Sequence, residues 1–181
     1  MEIVQGPPLR TAGILTFARA PRGSIDELEA GMVAIAGVPY ESSTSGRRGP
    51  LLGPRAYRET STYYQSHTNA GGSALVEIDS RERVEPAVVR ARLRDLGDLA
   101  VSHVDWAETE GLLRDACRRI VRRGAVPVFL GGDHFVSSAL VPGYRDAVWE
   151  RGVVLVPRSY AGIALTIAGV ALSVVRRRTR A

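Results

Sequence analysis

The fold of this 181-residue chain is set by one stretch, VPVFLGGDHFVSS, at residues 126–138. Its first half, Val126–Leu130, is rich in β-branched and aromatic side chains and too short for a helix, which predicts a buried strand. Two glycines follow and allow the backbone to turn sharply. Open α/β sheets bind ligands beyond the carboxyl ends of their strands, so the turn places Asp133 and His134 at a predicted ligand-binding edge. An imidazole there suits a borderline metal ion, and a hydrogen-bonded structural histidine is the alternative.

The positive charge of the chain is concentrated in its last residues. Between Met1 and Glu150 there are 18 Arg and 19 acidic residues, whereas residues 151–181 contain six Arg and no acid. A nucleic-acid-binding surface needs positive charge spread over a folded face, so we expect no nucleic-acid partner. The single cysteine, Cys117, excludes an intrachain disulfide, and the amino terminus has no apolar signal segment. Both observations predict a cytoplasmic protein.

Two further elements have clear patterns. The run Met32–Val38 is continuously apolar, which is typical of a parallel strand covered on both faces. The segment Asp105–Arg123 predicts an amphipathic helix with Asp105 as its cap and Gly124 as its left-handed stop. With the strand that follows, this helix forms the second half of a βαβ unit. Cys117 lies on the apolar stripe of the helix, so we predict a core residue and not a nucleophile.

The segments that follow the first strand have weaker patterns. Residues 39–55 form a loop rich in Gly, Ser and Pro, in which Arg47 and Arg48 either meet an anionic group or are simply solvated. A helix is predicted to begin at Pro54. It gives way to a flexible turn at 66–73, where His67 is expected to be exposed.

Three stretches near the middle of the chain are rich in charged residues. Ala74–Ile78 predicts a short edge strand. Arg81–Arg94 alternates charges without an apolar face and predicts a surface connection. Asp95–Asp98 predicts a strand end with acidic residues at the ligand-binding edge.

Several motifs, in their order along the chain, resemble the ureohydrolase family of arginases and agmatinases. They are GVPYESSTSGRRGPLLGPRAYRETS at 37–61, DLGDLAV at 95–101 and PVFLGGDHFVSS at 127–138. The arm GILTFARAP at 13–21 is similar to the agmatinase and guanidinobutyrase branch in particular. Several ordered motifs are much more specific than any one of them.

The resemblance implies both a fold and a chemistry. The family has a three-layer α/β/α fold with a parallel sheet, and it hydrolyses a guanidino group to release urea. It therefore implies two Mn²⁺ ions that share and acidify a bridging water, a small guanidino substrate such as agmatine, and a homo-oligomer in intact members. On the family's pattern His134 binds one of the metal ions, and Asp133 is a structural acid beside it.

The family's remaining metal ligands have no candidate in this sequence. The next motif, an Asp-x-His-x-Asp run, is expected about 30 residues further on, the length of a βα unit, where VPRSYAGIALT stands at 156–166. Beyond Glu150 there is no Asp, Glu or His. A single imidazole does not hold two divalent ions, so we expect these residues to be inactive on their own.

These patterns divide the chain into three segments. We expect an irregular arm at 1–23, the amino-terminal part of a ureohydrolase α/β domain at 24–150, and an atypical apolar, Arg-rich tail at 151–181. The expected fold is thus a three-layer α/β/α architecture with a parallel sheet, incomplete at its carboxyl side. Three explanations of the tail are considered. The preferred one is a premature or frame-shifted end, the second is a helix packed on the sheet, and the third is a membrane anchor through 159–175. The alternative function is that of a non-catalytic interaction protein or membrane-anchored pseudoenzyme.

Overall fold

The computed structural model describes residues 13–42, 44–69, 75–76, 80–84, 86–150, 164–166 and 169–171. The strands in these ranges are β1 (Val33–Val38), β2 (Leu75–Val76), β3 (Arg83–Val84), β4 (Leu93–Asp98), β5 (Val126–Gly131), β6 (Ala164–Thr166) and β7 (Gly169–Ala171). The α-helices are α1 (Gly53–Asn69), α2 (Pro86–Arg92), α3 (Trp106–Arg122) and α4 (Ser137–Glu150). Short 3-10 turns occur at Phe17–Arg19, Ile25–Glu27, Pro50–Leu52 and His134–Val136.

The main sheet has the strand order β4-β1-β5-β7-β6. β1 is parallel to β4 on one side and to β5 on the other, which confirms the predicted parallel sheet. β7 runs antiparallel to β5, with Ala171 opposite Val128, and β6 pairs antiparallel with β7. β2 and β3 form a separate two-stranded antiparallel sheet.

Helices cover β1 on both faces, because successive side chains of a strand point to opposite sides. Ala34, Ala36 and Val38 are fully buried in one core cluster with residues of α3 and α4. Gly37 faces the other way, where an added Cβ would lie 2.9 Å from the Cβ of Pro54 in α1. The central strands therefore lie between two helical layers, and the three-layer α/β/α expectation is confirmed for this part of the fold.

α3 agrees closely with its predicted helix. Asp105 caps it, since its carboxylate accepts a hydrogen bond of 3.2 Å from the backbone N–H of Glu108. Gly124 adopts a φ of 79° just past the helix end, the left-handed stop that the sequence predicts. Cys117 has no exposed surface, and burial raises the pKa of its thiol to about 12. It is a core residue, as predicted, and not a poised nucleophile.

The amino-terminal arm, residues 13–23 in the described part, runs along the edge of β4. Asp95 donates its backbone N–H to the carbonyl of Pro21 at 2.9 Å and accepts from the N–H of Gly23 at 3.2 Å. These bonds give Arg22 a parallel bridge to Asp95. The arm therefore covers a strand edge that would otherwise expose unpaired backbone groups.

The expectations for the segment between α1 and β4 hold in part. The turn expected at 66–73 is wrong at its start, because α1 continues to Asn69, while the side chain of His67 lies outside what the structure describes. The surface position expected for Arg81–Arg94 agrees with the structure, in which none of its described side chains is buried. The segment is not irregular, however, since it contains β3, α2 and the start of β4. The edge strand expected at 74–78 is present only as β2, outside the main sheet.

The tail is described only at β6 and β7. There the backbone is extended, so the helix considered for this region is not found in its described residues. The membrane anchor considered at 159–175 falls mainly on residues outside the described ranges. Within those ranges, no helix is both long enough and apolar enough to cross a bilayer.

Candidate functional site

The carboxyl ends of β1, β4 and β5 meet at one edge of the sheet, because the three strands are parallel. Three loops leave this edge, at 39–52, 99–105 and 132–133, and we call it the rim. It is the position where α/β sheets bind their ligands. The sequence correctly places Asp133 and His134 here.

Asp133 joins two of the rim loops. One carboxylate oxygen accepts from the backbone N–H of Ser42 at 3.1 Å, and the other accepts from the N–H of Phe135 at 3.1 Å. Its own N–H donates to the carbonyl of Tyr40 at 2.9 Å. The side chain is almost fully buried, so its carboxylate fixes the loop after β5 against the loop after β1.

The glycines before Asp133 serve close packing. Neither Gly131 nor Gly132 has a positive φ, so the sharp turn expected from them is not the reason for their presence. A Cβ on Gly132 would lie 1.8 Å from the carbonyl oxygen of Tyr40, and a Cβ on Gly53 would lie 2.5 Å from that of Gly131. Backbones therefore touch at the rim where any side chain would separate them.

His134 begins the 3-10 turn after β5, and its side chain is exposed. Asp133 caps this turn and thereby orients the residue that follows it. An exposed imidazole at the rim is accessible to a metal ion. The metal-ligand role predicted for His134 remains a prediction.

The donor set at the rim does not fit a centre with two metal ions. In the described part of the chain, no group of three or more His, Cys, Asp or Glu side chains is close enough to hold a metal ion. A dinuclear centre needs several carboxylates and imidazoles to compete with water for both ions. We therefore assign no catalytic step to metal ions held by these residues.

A cluster of aromatic rings occupies the rim, and the sequence reading missed it. The ring of His103 stacks on Tyr40 with centroids 6.0 Å apart and an angle of 4° between the planes. Trp106 lies 5.3 Å from Tyr40 and 4.4 Å from Phe135, tilted against both. Each ring follows closely after the end of a parallel strand, and that position was the signal that could have revealed the cluster. Phe135 of this cluster directly follows His134 in the chain.

The acidic residues expected at the rim from Asp95–Asp98 are engaged elsewhere. Asp95 is 1% exposed and lies within β4, where it forms a two-pronged ion pair with Arg58 at 2.9 Å for each contact. The third nitrogen of Arg58 contacts Asp98 at 2.5 Å. The expectation of rim acids is wrong for Asp95, because a buried guanidinium from α1 binds its carboxylate.

Hydrogen bonds set the ionisation of this buried pair. Burial alone raises the pKa of Asp95, but hydrogen bonds from Arg58 and from the backbone N–H groups of Phe17 and Gly97 outweigh it, and the pKa lies below its usual value. Burial lowers the pKa of Arg58, and its bonds to the two carboxylates outweigh that effect in turn. Both groups are therefore charged at neutral pH. They form a structural junction between the arm, α1 and β4.

The loop after β1 is closed by Glu41. Its carboxylate accepts from the backbone N–H of Gly49 at 3.0 Å and from that of Leu51 at 3.4 Å. Arg47 and Arg48 lie within the closed loop and are exposed, with no ion pair among the described residues. Of the two expectations for this arginine pair, the structure agrees with the simpler one, in which both side chains are solvated.

Known proteins match this chain in sequence and in fold. The family model described as Arginase family matches residues 32–156. A guanidinobutyrase of Pseudomonas aeruginosa is 30% identical over 146 residues, which are 80% of this chain and 42% of that protein. A mitochondrial agmatinase of Gallus gallus is 28% identical over 146 residues, covering 80% of this chain and 38% of that protein.

The fold has a counterpart among solved structures. A hypothetical agmatinase from Burkholderia thailandensis superposes with a TM-score of 0.62 at 24% identity, over 76% of this chain and 39% of that one. The chain thus spans about two fifths of the length of the relatives that it matches. The likeness includes β1, α1, β4, α3 and β5, the elements that build the rim.

Proposed function

Because this chain belongs to the arginase family, we propose that its function derives from the hydrolysis of a guanidino compound, such as agmatine, to an amine and urea. The curated relatives named guanidinobutyrase and agmatinase support a guanidino substrate class. The observation that carries the proposal is the GGDH sequence at the rim, with Asp133 fixed by backbone hydrogen bonds and the adjacent His134 exposed.

His134 is proposed as the ligand of one manganese ion, and Asp133 as the residue that positions it. The sequence beyond Glu150 contains no Asp, Glu or His, so it offers no further ligands for a second ion. We therefore propose that these 181 residues do not release urea by themselves. We also propose that the protein associates with homologous subunits and is located in the cytoplasm.

Urea release tests this proposal. The purified chain, supplied with Mn²⁺ and either agmatine or 4-guanidinobutyrate, should release no urea above the rate of a buffer control. A chimera joins residues 1–142 to the carboxyl-terminal part of the Pseudomonas guanidinobutyrase and should release urea. The same chimera with His134→Ala should lose nearly all of that activity, since metal ligands act together.

Two outcomes would contradict the proposal in different ways. Urea release by the 181-residue chain would show that it holds a working centre that its ligands do not suggest. A folded and active chimera that tolerates His134→Ala would show that His134 is not a metal ligand. Circular dichroism of the two chimeras provides the control for folding.

A further inference from the structure

A cavity of about 330 Å³ lies between the arm and α1. This volume is at the lower end of small-molecule sites, which are roughly 300–1,000 Å³. Side chains that line the cavity are Leu15, Arg19, Arg55, Glu59, Thr62 and Tyr63. None of the rim residues named above contributes to it, so it is a separate place in the fold.

The inner part of the cavity has a fixed geometry. Thr62 is buried, and the Nε atom of Arg19 is inaccessible to solvent while its Nη1 donates to the carbonyl of Ile14 at 3.2 Å. The guanidinium of Arg19 is therefore held in position. A positive group that is already ordered loses little entropy when it binds an anion.

The backbone that presents Arg19 is strained. Ala18 and Arg19 have φ values of 48° and 57°, in the left-handed region that costs a non-glycine residue roughly 1 kcal/mol or more. Partly buried hydrogen bonds maintain it, because the N–H of Phe17 donates to Asp95 at 2.7 Å and that of Ala18 donates to Ser61 at 2.7 Å. Strain of this kind is frequent at ligand sites.

The outer part of the cavity has charges of both signs. Arg55 and Glu59 are one turn apart on α1 and exposed, and within the described residues neither forms an ion pair. Arg58, on the same helix, differs from them because it is paired with two carboxylates, those of Asp95 and Asp98. A dianion would be repelled by Glu59, and a simple cation would be repelled by the two arginines.

We propose that this cavity binds a small zwitterion, an amino acid whose carboxylate and ammonium groups are separated by a short apolar chain. The carboxylate binds Arg19 and Arg55, and the ammonium group binds Glu59. The methylene groups contact Leu15 and the ring of Tyr63. This site is independent of the guanidino chemistry proposed for the rim.

Matched ligands test the charge requirement on the full chain. Ligand-observed NMR and calorimetry would compare 5-aminopentanoate with pentanoate, pentylamine and inorganic phosphate. We expect 5-aminopentanoate to bind with a Kd near or below about 1 mM, and each of the other three at least about tenfold more weakly, because each lacks one charge pair or is repelled.

Variants of exposed residues test the site without disturbing the fold. Arg55→Gln should weaken 5-aminopentanoate about tenfold, and Glu59→Gln should remove its advantage over pentanoate. Arg47→Gln, on the exposed loop at the rim, is the matched control and should leave the Kd unchanged. Thermal unfolding of each variant verifies that the fold persists.

Three results would overturn the inference. The first is that 5-aminopentanoate does not bind at about 10 mM, far above the expected Kd. The second is that phosphate or pentanoate binds as tightly as 5-aminopentanoate, and the third is that the Kd is unchanged in both cavity variants. The cavity site and the proposed function can be tested separately. His134→Ala should not alter the Kd of 5-aminopentanoate, and the urea assays do not depend on Arg55 or Glu59.

Discussion

Two strand ends in this molecule look alike in sequence and differ in structure. At GGDH, residues 131–134, the carboxylate of Asp133 accepts from backbone N–H groups, and the imidazole that follows is exposed. At DLGD, residues 95–98, the carboxylates bind the guanidinium of Arg58, and Asp95 is buried. One acidic motif presents a side chain to solvent, and the other closes a junction inside the protein.

The difference comes from the kind of distant partner that each carboxylate has. Both accept a hydrogen bond from a backbone N–H two residues further on, that of Phe135 for Asp133 and that of Gly97 for Asp95. The distant partner of Asp133 is the neutral backbone N–H of Ser42, whereas that of Asp95 is the charged guanidinium of Arg58, 37 residues away on another element. An acid at a strand end is therefore a candidate site residue only when no distant cation binds it.

The largest effect is expected from breaking the buried junction. Asp95→Ala leaves the guanidinium of Arg58 buried with only Asp98 as a charged partner, which should lower the free energy of unfolding by about 3–5 kcal/mol. Urea denaturation at pH 7 measures this. Asp26→Ala is the control, since Asp26 pairs with Arg119 and Arg123 on the surface and should matter by about 1 kcal/mol or less. Equal losses of unfolding free energy in the two variants would show that the buried ion pair contributes no more to stability than the exposed ones.

A smaller loss is expected from separating the backbones at the rim. Gly132→Ala places a methyl group against the carbonyl of Tyr40 and should destabilise the protein by about 1–3 kcal/mol. Gly111→Ala is the matched control, because a Cβ there meets nothing within 4 Å and alanine favours the helix by up to about 1 kcal/mol. If both substitutions were neutral, the two loops would not be in the close contact described.

Acid should weaken the buried junction. The pKa of Asp95 is lowered in the folded state, so its contribution is complete above its unfolded pKa of about 3.9 and is lost as pH falls through the lower folded value. Unfolding free energy measured from pH 6 to pH 2.5 should therefore decline below about pH 4. The decline should be shallower in Asp95→Ala. A parallel decline in the two proteins would contradict the assignment.

The smallest effect is expected at the exposed imidazole. His134→Ala should change the unfolding free energy by no more than about 0.5 kcal/mol, since exposed side chains without packed contacts contribute little. The same denaturation experiment measures it. A loss above about 1.5 kcal/mol would favour the structural histidine that the sequence left open as the alternative to a metal ligand.

The elements with local determinants were predictable from the sequence. The cap at Asp105, the apolar stripe of α3 and the stop at Gly124 all lie within one stretch of about 20 residues, and the structure confirms each. β1 and β5 are apolar throughout, so their burial does not depend on a charged partner. Their parallel pairing follows from the helical connections between them.

The features with distant determinants were not predictable. The sequence predicted a strand end at Asp95–Asp98, but not the burial of Asp95, because that depends on pairing with Arg58, 37 residues earlier. The need for glycine at 132 is created by Tyr40, which is 92 residues earlier. The aromatic cluster at the rim likewise joins residues that follow three different strands. Local patterns contain none of these pairings.

The docking of the arm has a consequence for the order of folding. Phe17 bonds to Asp95 across 78 residues of chain, and Pro21 and Gly23 bond to the backbone of the same residue. The arm is the first of the described segments to leave the ribosome, yet its binding surface exists only after β4 has been synthesised and paired. We expect the arm to gain protection in pulsed hydrogen exchange only after β4, since its bond to Asp95 closes a loop of 78 residues and needs a surface that β4 provides.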